Sequence, residues 1–168
     1  LLPFYRLMYN VFAVISLILI YEFSPRPDLI VYDLPKPFDI IIVFPQIIGL
    51  IGFIWTLKHF SSREFLGINQ IIRWHKKNYD YNELDEKLTL RIEGPYRYSR
   101  HPLYFFSILF LAFRPVMDLF YLTALVCIIL YFYIGSFYEE RKLVNVFGEV
   151  YKNYQKKVPG IFPVKILS

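Results

Sequence analysis

One cysteine, Cys127, is all the sulfhydryl chemistry that the 168 residues offer. That excludes an intrachain disulfide and a thiolate metal cluster. Histidine is nearly as scarce. His59, His75 and His101 are scattered along the chain, too sparse a set to build a transition-metal site, so no metal is expected. Internal repeats and low-complexity tracts are missing, as is a nucleophile paired with a base. The chain begins at Leu1 without an initiator methionine, and is expected to be trimmed at that end.

What the chain has in excess is apolar surface: 56% hydrophobic and 20% aromatic residues, with a mean hydropathy of +0.38. Soluble domains carry about 45–50% apolar residues. The excess falls into long runs separated by charged, proline-containing segments, which points to one compact integral membrane domain. The net charge of +5 does not imply nucleic acid. The basic residues sit beside apolar runs, where they orient a membrane protein and meet anionic lipid, so the lipid bilayer is the expected partner.

The first span covers about residues 3–21 and is stopped by Ser24-Pro25-Arg26-Pro27, because paired prolines cannot continue a helix. The second covers about 39–57 and contains Pro45-Gln46. A proline there frees a backbone carbonyl, which a glutamine can satisfy, or the glutamine can face a polar cavity. A polar segment follows, from about 58 to 100, with Arg63, Arg73, Lys76, Lys77, Lys87, Arg91, Arg97 and Arg100, and with the acidic group Glu83, Asp85 and Glu86. Its stretch 74–86 reads as a solvated loop or short surface helix.

An apolar hairpin comes next, with arms at 102–113 and 116–138 and a turn at Arg114-Pro115. The first arm has about 12 residues, or about 18 Å of helix, against the roughly 30 Å of a hydrocarbon core. His101, Pro102 and the basic residues before them are therefore drawn toward the membrane, where polar groups need a protein-walled cavity. The tail, 139–158, reads as an amphipathic helix. Leu143, Val144, Phe147, Val150, Tyr151 and Tyr154 mark one face, and Arg141, Lys142, Asn145, Glu149, Lys152 and Lys156 the other; such a helix lies along a membrane surface.

The expected fold is thus an all-α polytopic bundle of about four membrane segments with a cytoplasmic amphipathic C-terminal helix. Its parts are a first helical hairpin (1–58), a cytoplasmic segment (59–100), a second hairpin (101–138) and the tail (139–168). The connector after the first span holds Arg26 and Lys36, far fewer basic residues than the segment before the second hairpin. That asymmetry puts the basic segment and the tail on the cytoplasmic side.

Residues 94–104, GPYRYSRHPLY, carry the chemistry. With the Glu139-Glu140-Arg141 turn and the tail helix, they assemble cations (Arg97, Arg100, with Arg91 upstream), a helix N-terminus at Pro102, carboxylates, and the aromatic faces of Tyr96, Tyr98, Tyr104, Tyr151 and Tyr154. A helix N-terminus beside arginine favours an anionic group. Carboxylates hold ammonium or ribose hydroxyls, and tyrosines stack on adenine or face a sulfonium. Those needs match S-adenosylmethionine, although composition alone does not separate it from a nucleotide. Gln46 and Trp55 are candidates for a substrate route from the bilayer. His59 and His75 read as surface or interface residues, and Phe105, Phe106, Phe110 and Phe113 as packing and lipid contact.

The paired pattern RHPxY and EExxLxxxFGxxYxxYxxxVPxxxP, here GPYRYSRHPLY and EERKLVNVFGEVYKNYQKKVPGIFP, resembles the signature of the isoprenylcysteine carboxyl methyltransferase superfamily of membrane methyltransferases. The resemblance covers about the last 80 residues. Upstream, FYRLMYNVFAVISL, SPRPDLIVYDLP and FLGINQI look like the branch of the bacterial methanethiol S-methyltransferases, whose members usually carry further N-terminal helices. The resemblance implies a cofactor pocket shaped by Gly94, Tyr96, His101, Glu139 and Glu140. It also implies a bacterial inner membrane rather than an endoplasmic reticulum location, and a small or lipophilic thiol as methyl acceptor. Thiolate is the reactive form, so Arg100 is the expected group for the anion, with Glu140 as its catalytic partner or orienting carboxylate. Carboxyl or phospholipid-amine methylation, an NADPH-dependent sterol-reductase-like activity, and a non-enzymatic ligand-binding role stay open at this level.

Overall fold

The computed structural model describes residues 2–78 and 89–164. The acidic group Glu83, Asp85 and Glu86, with Lys87, lies outside the described residues, as does most of the expected loop at 74–86. The elements in chain order are a 3₁₀ turn (Leu2–Phe4), α1 (Tyr5–Phe23), β1 (Ile30–Asp33), α2 (Phe38–Ile41), α3 (Val43–His59), α4 (Ser62–Phe65) and α5 (Ile68–His75). A second 3₁₀ turn (Gly94–Arg97), α6 (Pro102–Ala112), β2 (Val116–Asp118), α7 (Leu119–Phe147) and α8 (Glu149–Lys157) complete the described chain. Three helical stretches, Tyr5–Phe23, Phe38–His59 and Leu119–Phe147, are long and apolar enough to cross a membrane. The protein is a mostly helical membrane protein.

Two compact units are resolved, residues 1–25 with 60–89 and residues 26–59 with 90–168. In the first, α1 buries none of its side chains. A helix apolar all round and unburied is one whose solvent is hydrocarbon. Its N-terminal end is fastened by polar contacts: Arg6 Nη1 and Asn10 Nδ2 both donate to the Phe65 carbonyl, at 3.3 and 3.0 Å. Gly67, in the left-handed region at φ +84°, lets the turn between α4 and α5 press against Arg6. The buried Glu64 is satisfied by both ends of the Arg73 guanidinium, at 2.7 and 3.1 Å, and by Asn69 at 2.9 Å, a bidentate geometry that offsets desolvation of the pair.

The second unit is organised by α3 against α6. Gly49 and Gly52 face that contact. A Cβ on Gly49 would lie 2.6 Å from the Phe110 backbone nitrogen, and one on Gly52 would meet the Phe106 ring at 2.2 Å. Small residues of this kind let membrane helices approach backbone to backbone, where dispersion replaces the missing hydrophobic drive. At one end of the unit, β1 and β2 pair antiparallel, Ile30 with Asp118 and Asp33 with Val116. The Tyr32 hydroxyl donates to the Arg114 carbonyl at 3.1 Å, and Asp118 caps α7 by accepting from the Tyr121 N–H at 2.8 Å. The Arg114 guanidinium lies over the Tyr121 ring.

Two expectations need revision. The all-α reading omits the strand pair, which arises because the connector after the first span and the turn of the second hairpin satisfy each other's backbone groups. The tail is not one helix over 139–158. The Glu139–Phe147 part continues α7 without a break, since nothing in EERKLVNVF interrupts a helix, and the chain turns at Gly148, φ +55°, before α8. Tyr151 is 2% exposed while Val150 is open, so the apolar side of the tail packs partly into protein.

Gly49→Ala should lower the thermal midpoint in detergent markedly, because overpacking a fixed backbone costs about 1–3 kcal/mol. Gly135→Ala, whose new methyl meets the Tyr104 hydroxyl at an ordinary 3.8 Å, should not. Equal midpoints for the two variants would contradict the close approach of α3 and α6.

Candidate functional site

The end of the second unit opposite the strand pair gathers the chemistry. Gly94 starts a 3₁₀ turn at φ +58°, a conformation that suits glycine. The His59 ring fills the space where a side chain would stand, with Nε2 2.5 Å from an added Cβ. His59 is held by its Nδ1, 3.1 Å from the Trp55 carbonyl. Trp55 meets both the His59 ring and the Tyr98 ring. The C-terminal end of α3 is therefore seated on the motif segment.

His101 follows, as the residue capping α6, with Pro102 at the first helical position, where a missing N–H costs nothing. Its imidazole is 6% exposed and lies between two carboxylates of α7. Nε2 is 3.0 Å from Glu140 Oε1, and Nδ1 is 3.4 Å from Glu139 Oε2. Burial alone pushes the imidazole toward the neutral form, but hydrogen bonds and charge from Glu139 and Glu140 more than offset it, and His101 titrates above its ordinary 6.5. Each ring nitrogen faces a carboxylate oxygen, a setting that favours the protonated ring over the neutral one.

Glu140 takes two further donors on its other oxygen. Arg100 Nη1 is 3.1 Å away and Gln155 Nε2 of α8 is 2.8 Å away. Its hydrogen-bonding capacity is thus largely committed inside the protein. Glu139, with its side chain 46% exposed, accepts from His101 and from the Tyr104 hydroxyl at 3.3 Å and keeps capacity for another partner. Tyr104 stacks between His101 and Phe132, nearly parallel to both. From the tail, the Tyr154 hydroxyl donates to the Tyr96 carbonyl, and the buried Tyr151 ring contacts Tyr154. Burial pushes both phenols well above the tyrosine range, with the Glu140 carboxylate adding to the effect at Tyr151. They are neutral at any physiological pH.

The sequence candidates divide accordingly. Gly94, Tyr96, Arg100, His101, Tyr104, Glu139, Glu140, Tyr151 and Tyr154 come together. Arg97 is exposed at the end of its turn, and Arg91 is half-buried in the segment leading to it. Trp55 reaches the motif end through Tyr98, but Gln46 sits on the first turn of α3, nine residues earlier, about 13 Å along the axis. Three participants were passed over in the sequence. Gln155 looks like one more polar residue of the tail's wet face, Ser99 donates to the distant carbonyls of Gly160 and Ile161, and His59, exposed as expected, also packs on Gly94. Among the described residues no group of His, Cys, Asp and Glu is arranged to hold a metal.

One charged group in this cluster is incompletely satisfied: Arg100 Nε is buried and has no hydrogen-bond partner among the described residues. A buried guanidinium donor left unpaired is costly, and its chemistry calls for an anion or a lone-pair oxygen.

No family model matches the chain, and no solved structure matches it. Curated relatives do. Methanethiol S-methyltransferase 1 of Bradyrhizobium diazoefficiens is 27% identical over 96% of this chain and 55% of its own length. Methanethiol S-methyltransferase of Crocosphaera subtropica is 31% identical over 65% of this chain and 40% of its own. Protein-S-isoprenylcysteine O-methyltransferase of Schizosaccharomyces pombe is 30% identical over 68% of this chain and 53% of its own. The chain spans about half the length of these relatives or less.

Two outcomes follow from the geometry. Because the folded value of His101 is raised, its contribution to stability is complete below about 6.5 and is lost as pH rises through the higher folded value. The midpoint difference between wild type and His101→Gln in detergent should accordingly be largest near pH 5.5 and shrink toward pH 8.5; a difference that grows with pH contradicts the two-carboxylate geometry. Gly94→Ala should lower the midpoint, and the double variant Gly94→Ala/His59→Ala should recover only part of the loss, since removing the ring relieves the clash but not the φ.

Proposed function

We propose that this chain, a relative of the isoprenylcysteine carboxyl methyltransferase superfamily on its methanethiol S-methyltransferase side, is an S-adenosylmethionine-dependent integral membrane methyltransferase acting on a small or lipophilic thiol. The observation that carries the reading is the cluster in which Glu140 gathers Arg100, His101 and Gln155 while Arg100 keeps a buried Nε–H without a partner. The residues fit the cofactor. Its parts are a carboxylate, an ammonium, a ribose, an adenine and a sulfonium. Arg100 offers an unpaired donor for an anionic oxygen, Glu139 spare acceptor capacity for an ammonium, and the half-buried Tyr154 an aromatic face, backed by the buried Tyr151 and by Tyr104, whose ring is enclosed between His101 and Phe132. Gly94, Tyr96, Arg97 and Arg91 complete the proposed pocket wall.

When bound, S-adenosylmethionine supplies an electrophilic methyl group on sulfur. The protein's share is positioning and exclusion of water rather than covalent catalysis. Glu140 fixes the Nη1 end of Arg100, so the remaining edge of the guanidinium is aimed by the protein and not by solvent. An acceptor thiol reacts as thiolate, and a fixed guanidinium favours that anion over the neutral thiol. His101 lies between Glu139 and Glu140 and, with Arg100, offsets the charge of the two carboxylates. Trp55, and Gln46 deeper along α3, line the proposed route of the acceptor from the bilayer.

The same reading places four membrane segments in the chain, with α6 as the short fourth, and the site and tail helix on the cytoplasmic side of a bacterial inner membrane. The excess of basic residues between 58 and 100 supports that side.

The test is a titration of S-adenosylhomocysteine and, separately, NADPH in detergent, followed by a tritiated-methyl assay with thiol, prenylcysteine and phospholipid acceptors. Stabilisation by S-adenosylhomocysteine alone and label in the thiol are expected. Arg100→Ala and Glu140→Ala should each cut transfer by at least about a hundredfold, the scale of a lost positioning contact, with expression unchanged. Normal turnover in both variants would sink the assignment, and stabilisation by NADPH instead would redirect it to reductase chemistry.

A further inference from the structure

Ser99 is 2% exposed and lies between the motif and the end of the described chain. Its single hydroxyl proton is shared between the carbonyls of Gly160 at 2.7 Å and Ile161 at 2.9 Å, while its oxygen accepts from the His101 N–H at 3.1 Å. The neighbouring Arg100 N–H donates to the carbonyls of Pro159 and Gly160, at 2.9 and 3.0 Å. Residues 159–161 therefore run alongside 99–101 as a strap, with Val158 and Ile161 buried at its two ends.

The strap touches more than backbone. A Cβ on Gly160 would lie 3.4 Å from Arg100 Nη2, so the strap forms the wall beside that guanidinium. It also takes up the N–H groups of Arg100 and His101, the two residues whose side chains meet Glu140. The Arg100 stem has several rotatable bonds, and Glu140 restrains only its Nη1 end. The rest of its direction is set by the backbone to which it is attached and by the wall beside it. A serine hydroxyl bonded three ways couples both.

We propose that Ser99 is a positioning residue for the methyl-donor site. Its hydroxyl registers the 159–161 strap against the His101 turn, and through that register aims the Arg100 guanidinium and the His101 imidazole. The proposal rests on the methyl-transfer reading above. It differs from a plain fold clamp in what it disturbs: a clamp governs stability, whereas this register governs affinity for the methyl donor.

The experiment uses the full chain in detergent as wild type, Ser99→Ala, Gly160→Ala and Gly160→Val. Each is measured for thermal midpoint, for S-adenosylhomocysteine affinity by calorimetry, and for KM and kcat with S-adenosylmethionine. Ser99→Ala should weaken S-adenosylhomocysteine binding and raise the KM for the methyl donor about tenfold, with kcat changed less than about threefold, the size expected of a sub-ångström misplacement. Gly160→Ala adds one methyl 3.4 Å from Arg100 Nη2 and should raise the KM by less than Gly160→Val does. Gly160→Val keeps every Ser99 hydrogen bond but presses its branch on Arg100, and should reproduce the KM effect at an unchanged midpoint. Should Ser99→Ala fail to fold, Gly160→Val decides: an unchanged KM there overturns the proposal. A Ser99→Ala protein with a lower midpoint but wild-type affinity and KM also overturns it, in favour of a fold clamp. A wild-type chain that binds no S-adenosylhomocysteine overturns the methyl-transfer reading itself, whereas binding by wild type and equally by Ser99→Ala and Gly160→Val overturns this inference alone.

Discussion

The Glu140 carboxylate is the constraint on which the rest of the site depends. It accepts from Arg100 and His101 of the motif segment and from Gln155 of α8, so two separate stretches of chain converge on two oxygen atoms of α7. Removing such a group from water is expensive, and the cost is offset only when the partners fill its lone pairs. Here they nearly do. The arrangement leaves little freedom for Arg100 and His101 on the Glu140 side, and it frees Glu139 for outside chemistry. Two adjacent carboxylates of the same helix turn thereby acquire different duties from their surroundings alone.

The scaffold explains how those stretches arrive at one place. The glycine-lined contact of α3 with α6 brings the end of α3 down onto Gly94, and the strand pair fixes the other end of the same unit. Between them the apolar side chains of the spans face outward in large numbers. That is the economy of a membrane protein: little is spent on an interior core, and specificity is concentrated in a few polar contacts and close backbone approaches.

Much of this was legible in the sequence, and the reasons for the rest are physical. The apolar runs point to about four membrane segments, and three of the described helices are long and apolar enough to cross, because composition over about 20 residues is a strong signal. Charged residues in an otherwise apolar setting drew attention to Arg100, His101, Glu139 and Glu140, and the structure does bring these together. Contacts made through backbone carbonyls leave no trace in residue type, which is why the partners of Ser99 were invisible. Gln155 was hidden for a related reason, as one polar residue among several on a helix read as solvated. The strand pair joins residues about 85 positions apart in segments too short to show a period. The continuation of α7 past Tyr138 leaves no mark in composition, because a change from apolar to charged residues does not end a helix, and Gly148 does.

That unbroken α7 has a consequence for the membrane itself. Its 29 residues make a rod of about 43 Å, against a hydrocarbon core near 30 Å. Its apolar part, residues 119–138, is about 30 Å long and matches that core, so the charged remainder stands proud of it. Glu139 and Glu140 are the first residues beyond the apolar part. The carboxylate pair is thus set where hydrocarbon gives way to headgroups, and the edge of the slab fixes the height of the site.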